Sequence, residues 1–119
     1  MITLYGIPNC DTVKKARLWL DDNNIEFQFH NFKKDGLEEN LLDHWFKNIG
    51  WEVLLNRRGT TWRKLDDTVK NAITESSAKD IMLENPSIIK RPVLDFDPSS
   101  DSSTKHVGFK EDEYKNIFS

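Results

Sequence analysis

The chain has 119 residues, 37% hydrophobic and 31% charged, with four Trp and seven Phe, which suits one domain around a single apolar core. A net charge of -3 and a pI near 5.6 argue against general nucleic-acid binding, and no apolar run approaches the roughly 20 residues that span a membrane. The lone cysteine, Cys10, has no partner for an internal disulfide, and the N-terminus lacks both a basic region and an apolar signal segment, so a reducing, cytoplasmic location is expected.

Residues 2–7, ITLYGI, are β-branched and aromatic and predict a strand that Pro8 ends. Residues 11–23 predict a helix: Val13, Ala16 and Leu20 recur at helical spacing, with Trp19 alongside, and DDNN closes it. IEFQFHNF alternates Ile25, Phe27 and Phe29, the pattern of a half-buried strand. A crossover of this length makes the two strands parallel and right-handed.

KKDG predicts a turn in which Gly36 takes positive φ. Residues 37–50 predict a helix striped by Leu41, Leu42, Trp45, Phe46 and Ile49 and stopped by Gly50. A short helical piece is expected at 51–55, then a basic loop, NRRGTTWRKL, around Gly59. Val69 and Ile73 mark a short helix over 66–75. Ser77, with Asp80 three positions on, predicts a capping box for a helix that runs to Glu84 and stops at Asn85–Pro86. The middle of the chain, approximately 36–86, is therefore expected to be helical.

SIIKRPVLDF predicts a third strand region interrupted by Pro92, and HVGF a fourth strand paired with it as a hairpin. The Ser/Asp-rich loop 97–104 between them reads as a mobile tip. KEDEYKNIF closes the chain as a helix with Tyr114, Ile117 and Phe118 inward. There is no internal repeat. The order βαβ, all-helical insert, ββα defines an α/β fold with a thioredoxin-like mixed sheet, as a single domain over 1–119.

Cys10 falls between the first strand and the first helix. Unpaired N–H groups and the helix dipole favour an anion there, so the thiol pKa is expected to lie below its free value of about 8.5. Lys14 and Lys15 add positive field, Asp11 opposes it, and Asn9 and Thr12 are placed to donate or cap. The alternative is an inert buried filler. Pro8 and Asn9 argue against it by putting the cysteine in a turn. His30, His44 and His106 show no ligand spacing, and no metal site is expected. The run Cys10-Asp11-Thr12-Val13 is not C-x-x-C, so any disulfide chemistry passes through a mixed disulfide with an outside thiol, with glutathione the expected one.

KRP places Arg91 before Pro92 at the start of a strand, where a cis peptide facing the cysteine is predicted. Arg91 is suited to clamp a carboxylate or oxyanion. NRRGTTWRKL, with Arg57, Arg58, Arg63 and Lys64, reads either as an anion-holding loop or as a solvated one.

The stretches TLYGIPNCDTVKKARLWL, GLEENLLDHW, GWEVLLNRRGTTWRKLD, NPSIIKRPVL and VGF resemble, in this order and through nearly the whole chain, the arsenate reductase-like (ArsC-type) family. Within it they are most similar to the YffB subgroup; LLNRRGTTWRKL also looks like the Spx-type transcription regulators of the same fold. The resemblance implies a Cys10 nucleophile surrounded by three arginines. One maps onto Arg91 and one onto the Arg57–Arg58 region, taken as Arg58. The third would fall near Gly108–Phe109, where there is none; Lys105 and His106 are basic groups just before it. Losing one charge-assisted contact removes about 1.5–3 kcal/mol of anion stabilisation, which weakens arsenate reduction more than thiol exchange.

The expected function is therefore a glutathione-dependent thiol/disulfide oxidoreductase. Cys10, Arg58 and Arg91 are its expected catalytic groups, and Asn9, Thr12, Lys14, Arg91 and Pro92 its expected substrate contacts. No bound cofactor is expected, with glutathione the external reductant and a small thiol or oxyanion the partner. Arsenate reduction is the alternative. A non-enzymatic Spx-like module touching RNA polymerase is the third, although Val13 stands where such regulators carry their second cysteine. Neither nucleic acid nor a membrane is an expected partner.

Overall fold

A computed structural model describes residues 1–100 and 102–119 of the chain. Strand β1 (Thr3–Gly6) leads into helix α1 (Asp11–Asp22) and then β2 (Gln28–Asn31), which lies parallel to β1 with Phe29 opposite Leu4. The predicted second strand starts later than its alternation because residues 24 and 25 are used to end α1. Asn24 takes φ +57°, its N–H reaches the Asp21 carbonyl, and Ile25 N–H reaches the Leu20 carbonyl. That double bond is a Schellman closure, with asparagine in the left-handed position.

The helical insert follows as α2 (Phe32–Asp35), α3 (Glu39–Asn48), α4 (Trp51–Leu54), α5 (Thr60–Arg63), α6 (Asp67–Asn71) and α7 (Glu75–Glu84). The expected KKDG turn is one turn of helix, ended by Gly36. Part of the expected basic loop is likewise a helical turn, α5. The capping box is Thr74 with Ser77, not Ser77 with Asp80: Thr74 Oγ1 accepts from the Ser77 amide, and Ser77 Oγ from the Thr74 amide. The predicted 66–75 helix is therefore cut short at Asn71, because Thr74 already begins the next one.

A 3-10 turn (Pro86–Ile88) leads to β3 (Val93–Asp95), β4 (Lys105–Val107) and α8 (Glu111–Ile117). The sheet order is β2-β1-β3-β4, with β3 antiparallel to both neighbours. Alternation along the strands divides the core. Leu4 and Leu94 face Ala16, Leu20 and Tyr114 of α1 and α8, while Tyr5 and Val93 face Leu42, Trp45, Leu54 and Met82 of the insert. The insert is thus the second layer of the sandwich. Among the described residues, no helix is long and apolar enough to cross a membrane.

The hairpin loop expected to be mobile includes Asp101, which lies outside the described residues. Its base is anchored to a buried charge. Lys105 Nζ donates to Asp95 Oδ1 at 2.8 Å and Oδ2 at 2.9 Å, and also to the Ser100 carbonyl at 2.9 Å and Ser103 Oγ at 3.0 Å. Trp45 Nε1 donates to Asp95 Oδ2 at 3.0 Å, so the same carboxylate ties the insert to the sheet.

On the other face, Tyr114 is fully buried among Trp19, Phe109 and Phe118, and its hydroxyl has no hydrogen-bond partner among the described residues. A buried hydroxyl without a partner loses its hydration for nothing. Tyr114→Phe should therefore raise the unfolding free energy by about 1 kcal/mol in urea titrations. A comparable loss of stability would mean that the hydroxyl has a partner after all.

Candidate active site around Cys10

Helix α1 can begin close against the sheet because β1 ends in Gly6. A Cβ there would lie 2.7 Å from Val13 Cγ2. The turn through Pro8 and Asn9 then delivers Cys10 as the N-cap of α1, at φ -96° and ψ 124°. Its carbonyl accepts from the Lys14 amide at 2.9 Å. The thiol is half-buried. As a neutral group it makes no capping hydrogen bond. Burial pushes its pKa up, but is outweighed by the Val13 amide, the Arg91 side chain, the Thr12 amide and the Arg91 charge, and the pKa falls below its ordinary value. These donors favour the anion more than the thiol.

Arg91 is held from the insert side. Its Nη1 donates to the Ser87 carbonyl at 2.6 Å, and Ser87 Oγ meets Thr61 Oγ1 of α5 at 2.9 Å. Its Nε is buried and has no partner among the described residues. The Arg91–Pro92 peptide is cis, as the sequence predicts. Pro92 is buried, and its carbonyl accepts from the Gly108 amide at 2.8 Å. Asn9 and Lys14 are exposed around the turn, and Thr12 is half-buried. Ser87, which aims Arg91, carries no sequence signal of its own; it is found only through the contact.

The structure brings Arg91 to the sulfur. Arg58 is exposed and is not among the groups acting on Cys10. With Arg57, Lys90, Lys110 and Glu52 it lines a depression of about 590 Å³. Arg57 lies over the Trp62 ring at 5.5 Å.

Neither Lys105 nor His106, the basic groups that precede the place of the absent third arginine, serves the site. Lys105 is consumed by Asp95, its directly opposite partner on β3. His106 Nε2 lies 3.1 Å from Glu113 Oε1. The C-terminal cation that reaches the Arg58 side is Lys110. Gly108 has open space around it but sits at φ +87°, so an arginine placed there meets backbone strain, not a clash. His30 and His44, distant in sequence, share a separate cavity with Tyr5, and among the described residues no group of three or more His, Cys, Asp or Glu side chains is placed to hold a metal ion.

A single thiol made acidic at a helix N-terminus, facing the arginine that precedes a cis-proline on a thioredoxin-like sheet, defines a one-cysteine thioredoxin-fold protein. Residues 5–117 match the ArsC family, and the chain belongs to that family. It is 43% identical to the YffB protein, whose structure matches with a TM-score of 0.90 over 100% of both chains. An arsenate reductase (ArsC) related protein from Brucella melitensis is 48% identical, with a TM-score of 0.77 over 98% of this chain and 93% of that one. The global transcriptional regulator Spx of Streptococcus pyogenes is 31% identical over 121 residues, covering 100% of this chain and 86% of its own.

Proposed function

We propose that this ArsC-family chain is a cytoplasmic thiol–disulfide oxidoreductase that uses glutathione as its second thiol. The observation that carries the reading is the acidified Cys10 beside Arg91 in a chain with no other cysteine. The Cys10 thiolate attacks the glutathione sulfur of a mixed disulfide RS–SG, forming Cys10–S–SG and releasing RS⁻, which takes a proton from solvent. The thiolate of a second glutathione then attacks that same glutathione sulfur. Oxidised glutathione leaves and the Cys10 thiolate returns. Each step breaks one S–S bond and makes one, so the substrate sulfur is reduced and glutathione is oxidised. Arg91 stabilises Cys10 as both nucleophile and leaving group. Asn9, Thr12, Lys14 and Pro92 border the path by which the disulfide approaches.

Intact-mass measurement after exposure to oxidised glutathione should show one glutathione adduct, absent in Cys10→Ser and removed by added glutathione. No adduct on the unmodified chain would sink this reading.

Arsenate reduction is the second reading, favoured by the buried Nε of Arg91, which has no partner among the described residues and is a donor suited to an oxyanion. A glutaredoxin-coupled arsenate assay decides it. Turnover there without any glutathione adduct would reverse the order of the two. An Spx-like redox switch finds less support, because Val13, at the position of the second cysteine, is fully buried against Gly6.

A further inference from the structure

In a chain of net charge -3, four cations line one depression, and one of them, Lys90, directly precedes Arg91 in the chain. Arg57 and Arg58 come from the insert, Lys90 from the residue before Arg91, and Lys110 from the N-cap of α8. Glu52 is the one acid lining the same depression. None of the four forms an ion pair within the described residues, whereas Lys70, Lys79, Lys105 and Lys115 each find a carboxylate. Like charges held together without a counter-ion raise the local potential and attract an anion.

The arrangement is built, not incidental to a floppy loop. Asn56 N–H donates to the Ile88 carbonyl at 2.9 Å and Lys90 N–H to the Leu54 carbonyl at 2.8 Å, which zips the arginine-bearing segment to the strand approach that carries Arg91. Asn56 Oδ1 takes the Arg58 amide at 3.1 Å. Cations from three separate parts of the chain are thus presented to one space before any ligand arrives.

We propose that this depression is an anion subsite for the non-reacting part of the substrate, with Lys90 and Lys110 as its specificity-determining residues. The disulfide that Cys10 attacks then belongs to an acidic peptide, with a carboxylate held away from the reacting sulfur. The inference rests on the thiol-exchange reading and adds the class of disulfide preferred. Lys110 supplies the cation from the C-terminal segment, and it acts on binding and approach, not on the thiolate itself.

The test compares rates of Cys10 adduct formation with two disulfides, oxidised glutathione, which is anionic, and bis(2-hydroxyethyl) disulfide, which is neutral. The ratio of the two rates should fall about fivefold or more in Lys90→Ala/Lys110→Ala. Lys110→Arg should keep the ratio within about twofold of the unmodified chain, because the charge remains. In the unmodified chain the ratio should fall as salt shortens the reach of the charges. A ratio unchanged in the double alanine variant overturns the subsite and leaves thiol exchange standing. A chain that reacts with neither disulfide overturns thiol exchange, and this inference with it.

Discussion

Lys105→Met should lower the unfolding free energy by about 3–5 kcal/mol, because it strips the counter-charge from a carboxylate that has no access to water. Both side chains of the pair are essentially inaccessible, at 1% and 0% exposure. The Asp95 carboxylate also accepts from Trp45 Nε1, the Asp97 amide and Ser103 Oγ, so it cannot swing outward without breaking the insert and the hairpin together. Asp95→Asn should be similarly damaging, since it leaves the Lys105 ammonium buried without its anion. Lys105→Met/Asp95→Asn together should cost less than the sum of the two, because neither uncompensated charge then remains. Guanidinium titrations of the four proteins measure this coupling. Additive losses would show that the two groups do not act as a pair. The site itself should respond indirectly, through Trp45 and the packing of the insert.

Arg91→Ala should move the pH profile of Cys10 alkylation to higher pH. Iodoacetamide, being neutral, reports the thiolate fraction without charge bias. In the unmodified chain burial raises the thiol pKa, and the Val13 amide, Arg91 and the Thr12 amide together bring it below the ordinary value. Removing the guanidinium takes away a hydrogen bond and a charge at once, so burial is less opposed and the thiolate is scarcer. Alkylation near neutral pH should slow about tenfold, the scale of one charge-assisted hydrogen bond. Lys at the same position should recover part of the loss, keeping the charge but not the planar fork. Stability follows the same sign. Because the folded-state pKa lies below the unfolded one, the thiolate contributes stability above the ordinary thiol pKa and loses it as pH falls through the folded value. Arg91→Ala should flatten that dependence. An unchanged alkylation profile would remove Arg91 from the site.

Much of this was legible along the chain because the signals are local. The period of Val13, Ala16 and Leu20 and the alternation of the first strands depend on neighbours a few residues away, and the structure keeps both. So does the place of Cys10 at the start of α1, where Pro8 and Asn9 make the turn. The cap of α7 differs from the expected one for an equally local reason: Thr74 and Ser77 satisfy the same spacing rule as Ser77 and Asp80, and the pairing actually made sits one turn earlier.

The sequence by itself determined the order of strands and helices, the lone thiol at a helix N-terminus, and the arginine–proline step that meets it. Only the tertiary structure decided where the remaining cations of the chain come to lie. Lys105 looks along the chain like a substitute for a missing arginine, yet β-register sets it directly opposite Asp95 and buries it. Lys110, beyond the turn at Gly108, comes to share a depression with Arg57, Arg58 and Lys90. Charge along a chain is a property of composition. The partner each charge finds is set by strand pairing and by how the insert folds back, and those are contacts between residues far apart in sequence.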